Sequence, residues 1–207
     1  TQILTNANRE TIEHFIVKSN VHSKDSRVKL GILITLYTGI RIGELCGLKE
    51  SDIDLNNRSI TIKRTVERIA ETDPLAPQKT KVIIGEPKTA AASRTIPIQP
   101  FLTEYLKTFI TGSDHFILTG TEKHTEPHQF YLRYKTFMRQ FGLENYTFHS
   151  LRHTFATRCI DCGFDIKSLS DILGHSNIGT TLSIYVHPTM EQKRRQMDML
   201  MPNNTLN

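Results

Sequence analysis

A mostly helical α+β domain with a small antiparallel sheet set into it is the fold class this sequence predicts. Three observations carry it. Apolar residues recur at helical spacing in the first fifty positions and again beyond residue 100. The stretch between them alternates with period two and is rich in β-branched residues. No repeat or linker-like segment divides the two. At 207 residues, 38% hydrophobic and 23% charged, the chain can bury a sizeable core. No apolar run approaches the roughly 18 residues of a membrane span. The longest, LGILITLYTGI (30–40), reads as a buried helix, so no membrane partner is expected. The opening TQILTNANRETIEHF lacks the basic-then-apolar order of a signal peptide, and an intracellular, cytoplasmic protein is the expectation.

Element by element, NRETIEHFIVKS (8–19) reads as a helix capped by Asn8, with Ile12, Phe15 and Ile16 on its apolar face. SRVKLGILITLYTG (26–39) is apolar enough to be central and stops at Gly39. RIGELCGL (41–48) starts a short helix immediately after it. The period then changes. SITIKRTVERI (59–69) follows the turn-prone LNN, and KVIIGEP (81–87) and SRTIPI (93–98) are two more extended pieces, together predicting one small sheet with exposed basic residues. After Pro100 helices return in FLTEYLKTFI, EPHQFYLRYKTFMRQFG, SLRHTFATRCIDCG, DIKSLSDILG and NIGTTLSIYVH. The last, MEQKRRQMDMLM (190–201), puts Met197, Leu200 and Met201 on one face, to pack on its own domain or on another molecule.

Charge and cysteines narrow the function. The net charge is +5, and basic residues bunch in RSITIKRTVER (58–68) and QKTK (78–81), patches that suit a polyanion. Three cysteines make no secreted disulfide framework. Cys159 and Cys162 form a lone CxxC inside a helix on which Leu151, Phe155 and Cys159 share a face, so packing is expected and a zinc site is not. Asp52 and Asp54 in ESDIDL read as turn residues.

The C-terminal region carries His149, Arg152, His153, His175, Tyr185 and His187. Phosphoryl transfer without a metal wants this mixture: arginines for the non-bridging oxygens, a nucleophile, and proton carriers. Arginine binds two phosphate oxygens through a planar fork and keeps its charge. Tyrosine can form a covalent phosphoester, and histidine can move its proton. His149 and Arg152, at i and i+3, fall on one side of a helix whose first turn would offer N–H groups to an anion.

Four blocks together resemble the tyrosine recombinases, or phage-type integrases. TGIRIGELCGL (38–48) is similar to the first arginine box and would place Arg41 on phosphate with Glu44 as its acidic support. EPKTAAASRTIPI (86–98) is similar to the hairpin carrying the family's lysine, which maps onto Lys88, with Lys79 and Lys81 as rivals. HSLRHTFAT (149–157) supplies His149 and Arg152, and LGHSNIGTTLSIYVH (173–187) supplies His175 and the nucleophile Tyr185. His153 and His187 receive no role from the resemblance.

What the resemblance implies is a DNA breaking-rejoining catalytic domain. Tyr185 would attack a phosphodiester of double-stranded DNA, leaving a 3′-phosphotyrosyl link and a free 5′-hydroxyl. Arg41, Arg152 and His175 would hold the phosphate, His149 would act as acid–base partner, and Lys88 would protonate the departing oxygen. No cofactor or metal is implied. The resemblance implies the integrase of a mobile element, acting as a homotetramer on two duplexes. The chain reads as a single catalytic domain, with a core of about 8–187 and a tail at 188–207, lacking the family's N-terminal DNA-binding domains. Two rival readings are a type IB topoisomerase-like enzyme and a non-catalytic DNA-binding module.

Overall fold

Two helices start the chain, α1 (Asn6–Lys18) and α2 (Ser26–Thr38). The computed structural model describes residues 2–73, 78–87, 89–185 and 190–198, apart from the side chains of Ala90, Ile184, Tyr185 and part of the last helix. α1 begins two residues earlier than its sequence suggested. Thr5 is the cap, its hydroxyl accepting the Asn8 N–H at 3.2 Å, so Asn8 lies inside the first turn. Ile12 and Ile16 are buried, while Phe15 remains partly exposed against Phe137 and Phe141. α2 is central, as its composition requires. Every residue from Val28 to Leu36 is buried, and other helices pack around it. It ends at Gly39, whose φ of 65° is the left-handed conformation an αL cap needs. A Cβ there would lie 2.6 Å from the Phe155 ring, so no side chain fits.

α3 (Ile42–Gly47) follows almost at once. The extended region then departs from the single sheet expected from sequence. It forms two. β1 (Ile53–Asp54), β2 (Ser59–Ile62) and β5 (Arg94–Pro97) make an antiparallel sheet in the order β1-β2-β5, with Ile60 opposite both Ile53 and Ile96. β3 (Thr65–Ala70) and β4 (Thr80–Gly85) make a separate antiparallel pair against α3. The alternating run SITIKRTVERI therefore breaks at Lys63–Arg64. The cause is Asp52, nearly fully buried, which draws both cations to itself; Arg64 also donates to the Gly47 carbonyl. Asp52 also accepts the Lys49 N–H, and Asp54 accepts from Asn57, so both carboxylates hold turns.

The remaining helices are α4 (Pro100–Lys107), α5 (Pro127–Arg139), α6 (Phe148–Asp161), α7 (Ile166–Leu173), α8 (Ile178–Tyr185) and α9 (Met190–Asp198). One hydrophobic cluster runs from Leu4 through α2 and both sheets to Leu151. A satellite of Phe155, Ala156, Cys159, Leu169 and Leu173 fastens α7 onto α6. Cys159 is thus a packing residue, whereas Cys162 is exposed at the helix end. Among the described residues, no helix is long and apolar enough to cross a membrane. Met197 is exposed on α9, while Leu200 and Met201 lie outside the described residues.

Candidate active site

The site is organised by the C-terminus of α7. This helix starts at Asp165, whose carboxylate accepts the Ser168 N–H, and ends at Gly174 with φ 65°. Its last carbonyls have no partner within the helix and carry the negative end of its dipole. Three consecutive ones each take an arginine. The Ile172 carbonyl accepts from Arg94 Nε at 2.6 Å, Leu173 from Arg152 Nη2 at 2.7 Å, and Gly174 from Arg41 Nη2 at 3.1 Å.

Arg41 sits at the start of α3, and its backbone N–H donates to Glu44 Oε2 at 3.0 Å. Its guanidinium donates to Glu44 Oε1 at 2.8 Å, yet 38% of the side chain remains exposed. Glu44 is buried and is held more fully by Arg94, whose Nη1 and Nη2 reach its two oxygens at 3.0 and 2.9 Å. Burial pushes the Glu44 carboxyl up. Hydrogen bonding and charge from Arg94, then from Arg41, outweigh this and leave it below the usual carboxylate range.

Arg152 and His149 come from α6. Phe148 pins the start of that helix, packing edge-on against Phe130 and Tyr134, while the Tyr134 hydroxyl donates to the Tyr146 and Thr147 carbonyls. Thr147 caps it and takes the Ser150 N–H. The first turn therefore offers an anion fewer open N–H groups than the sequence suggested. Arg152 is buried, donating to the Gly39 carbonyl at 2.6 Å as well as to Leu173. The αL turn at Gly39 thus supplies an acceptor in addition to ending α2.

Arg152 Nη2 also lies 2.9 Å from His175 Nε2, and His175 Nδ1 lies 2.8 Å from the Thr181 hydroxyl. A guanidinium can only donate, so Nε2 is the acceptor and Nδ1 carries the proton. Burial, then Arg152, Arg41, Arg94 and His149, lower the His175 pKa to about 4. His149 is solvent-exposed by area, but protein atoms around the ring still disfavour its charged form, and Arg152 and Arg41 add to this. Its ring meets His153 edge-on, with centroids 4.4 Å apart. His153 is buried and is also lowered to about 4, first by burial and then by His149 and Arg152.

Five of the seven positions read from sequence therefore gather here: Arg41, Glu44, His149, Arg152 and His175. α8 leads from the His175 turn to Tyr185, whose helical backbone is described and whose side chain is not. Lys88 lies outside the described residues, as does His187. A cleft of about 390 Å³ opens beside the cradle, lined by Arg41, Glu67, Thr89, Gly174, His175 and Thr180 among others. Sequence reasoning missed Arg94 and Thr181. Arg94 stood inside the quoted EPKTAAASRTIPI block, and the only available signal was an arginine opening a short strand.

A helical domain that presents Arg41 and His175 to an open cleft, with Arg94 and Arg152 buried directly behind them, is chemically equipped to bind a phosphate. The chain belongs to the phage integrase family, whose model matches residues 2–192. It is 32% identical over 194 residues to a "tyrosine recombinase XerC-like" protein of Caldanaerobacter subterraneus subsp. tengcongensis, an alignment covering 86% of this chain and 50% of that protein. It is 28% identical to the transposase from transposon Tn916 of Enterococcus faecalis, covering 96% and 51%. Among solved structures, the Tn1549 transposon integrase in complex with a circular intermediate DNA superposes with a TM-score of 0.75 at 28% identity, covering 97% of this chain and 66% of that one. The chain spans about half the length of the curated relatives it matches.

Proposed function

We propose that this chain is the catalytic domain of a site-specific DNA recombinase, serving integration and excision of a mobile genetic element. The observation that carries the reading is the convergence of Arg41 and Arg152 on adjacent carbonyls at the end of α7, with His175 between that end and the helix bearing Tyr185. The integrase and transposase relatives support the choice of DNA as substrate.

In the reaction, the Tyr185 phenol oxygen bonds to the phosphorus of a DNA phosphodiester and the 5′-oxygen departs. A 3′-phosphotyrosine remains, conserving the bond energy. His149 takes the phenolic proton. Its lowered pKa favours the neutral ring, which has a nitrogen free of a proton to accept one. Lys88 gives a proton to the 5′-oxygen. Arg41 and Arg152 stabilise the charge that builds on the non-bridging oxygens. His175 accepts from Arg152 in the free site. An incoming phosphate offsets the positive field that keeps it unprotonated, so Nε2 can become a donor to that phosphate. A 5′-hydroxyl from a partner strand then reverses the chemistry and rejoins the DNA. We further propose that four copies assemble on two duplexes and that residues 190–207 contact a neighbouring copy; deleting them should impair assembly more than binding of one duplex.

The deciding experiment is covalent trapping on nicked, 5′-labelled duplexes drawn from the ends of the element that encodes the protein. The expected result is an SDS-stable adduct with the native chain and none with Tyr185→Phe, at nearly equal DNA affinity. Equal adduct from both proteins would show that Tyr185 is not the nucleophile.

A further inference from the structure

Arg94 has no role in the resemblance, yet its guanidinium is tied into the cradle by four hydrogen bonds. Two go to Glu44, one to the Ile172 carbonyl, and one, from Nη1 at 3.0 Å, to the Ala92 carbonyl. Only 7% of the side chain is exposed, so it cannot be a solvated surface cation. It also fixes the local backbone. A Cβ on Gly174 would fall 2.8 Å from Arg94 Nη1 and 3.0 Å from the Ala91 carbonyl oxygen, so Gly174 has no side chain in the place where Arg94 passes.

The electrostatics give this side chain a purpose beyond packing. Two guanidiniums, those of Arg41 and Arg94, share the buried carboxylate of Glu44, and a third, that of Arg152, stands beside them on the Leu173 carbonyl. Arg94 takes both carboxylate oxygens through its fork, whereas Arg41 takes one through its guanidinium. A bidentate pair in a low-dielectric setting absorbs most of the carboxylate's charge. Arg41 is thereby oriented by Glu44 without being neutralised by it. If Arg94 were absent, Glu44 would have Arg41 as its only partner among the described residues of the cradle, and the surplus of two positive charges among Arg41, Arg94, Arg152 and Glu44 would fall to one.

We infer that Arg94 is a positioning residue of the phosphate cradle: it neutralises Glu44 so that Arg41 keeps its charge for the phosphate, and it ties the β4–β5 loop to the end of α7. The phosphate's identity rests on the recombinase reading.

The test compares Arg94→Met, Arg94→Lys and the double variant Arg94→Met/Glu44→Gln in single-turnover cleavage of the nicked duplex, with DNA affinity measured alongside. Acting through Arg41, the loss of Arg94 should slow adduct formation about 10- to 100-fold, somewhat less than direct loss of a charge-stabilising donor. Affinity should stay within a few-fold. Arg94→Lys should keep most of the rate. The double variant restores the charge surplus and should recover most of the rate lost in Arg94→Met. A residue acting by packing alone predicts the reverse, because a second substitution in the same cluster adds damage. A double variant no faster than Arg94→Met would overturn the inference, as would an unimpaired Arg94→Met.

A second readout needs no DNA. His175 faces Arg152, Arg41, Arg94, His149 and Thr181, and NMR titration of its ring should show a rise in pKa in Arg94→Met, reversed in the double variant. If the native chain makes no adduct, the recombinase reading fails while this titration still decides the role of Arg94; an unmoved His175 would refute it. Should Arg94→Met not fold, Arg94→Gln replaces it, retaining donors for the Ile172 and Ala92 carbonyls.

Discussion

Arg41 and Arg152 bind neighbouring carbonyls of one helix end, but the protein holds them by different means. Arg41 is braced by a carboxylate and keeps more than a third of its side chain in solvent. Arg152 is buried, and its partners include two backbone carbonyls and a ring nitrogen, all neutral. A buried cation is costly unless oriented dipoles or charges replace its hydration shell. The αL turn at Gly39 and the end of α7 supply those dipoles. Arg152 is thereby both a structural cross-link between α2, α6 and α7 and a fixed positive charge. Arg41 is mostly a charge presented to the cleft.

Replacing Arg152 should therefore have the largest effect. Arg152→Met leaves the Gly39 and Leu173 carbonyls without these donors, at a cost of about 1–3 kcal/mol for each buried group. We expect a loss of about 2–4 kcal/mol in urea unfolding, together with a fall in adduct formation of about 10²–10³. Arg41→Met should lose a similar factor in rate but less than about 1 kcal/mol in stability, because its ion pair is partly screened by solvent and Arg94 still satisfies Glu44. If the two variants prove equally destabilised, the contrast between a structural and a presented arginine is wrong.

The helix end that serves both arginines can be probed without touching either. Gly174 and Gly163 both follow helices with positive φ, 65° and 83°. A Cβ at Gly163 meets nothing within 4 Å, whereas one at Gly174 meets Arg94 and the Ala91 carbonyl. Gly163→Ala should cost only the backbone strain, about 1–2 kcal/mol. Gly174→Ala should cost more, and only it should slow cleavage. Equal costs would mean that the packing around Gly174 yields easily.

The same contrast explains what could be read in advance. Arg41, His149, Arg152 and His175 were legible because each stands in a short contiguous block that resembles the tyrosine recombinases, and His149 and Arg152 also share one side of a helix at i and i+3. The central placement of α2 was legible because its apolar residues leave no polar face. Arg94 was not, since its meaning comes from Glu44, fifty positions earlier, and Ile172, seventy-eight later. The division into two sheets was equally hidden. An alternating string with β-branched residues looks continuous until Asp52, on another segment, draws Lys63 and Arg64 out of line. Local period sets which segments extend, and a distant carboxylate sets where they stop.

The smallest predicted effect tests the neutral histidines around Arg152. His175 and His153 both have folded pKa values near 4, below the roughly 6.5 of an unfolded chain. As pH falls below 6.5 the unfolded state takes up protons that the folded state refuses. The stability these rings contribute is thus fully present above pH 6.5 and is lost progressively toward pH 4. Urea unfolding at pH 7, 6 and 5 should show declining stability, and His153→Gln should flatten the decline. Arg152 lowers both histidines, whereas Arg41 acts on His175 and is not among the causes for His153. Arg152→Met should consequently flatten the pH dependence more than Arg41→Met does. An identical slope in the two variants would place the depression in burial alone, leaving the arginine charges no share in keeping these rings neutral.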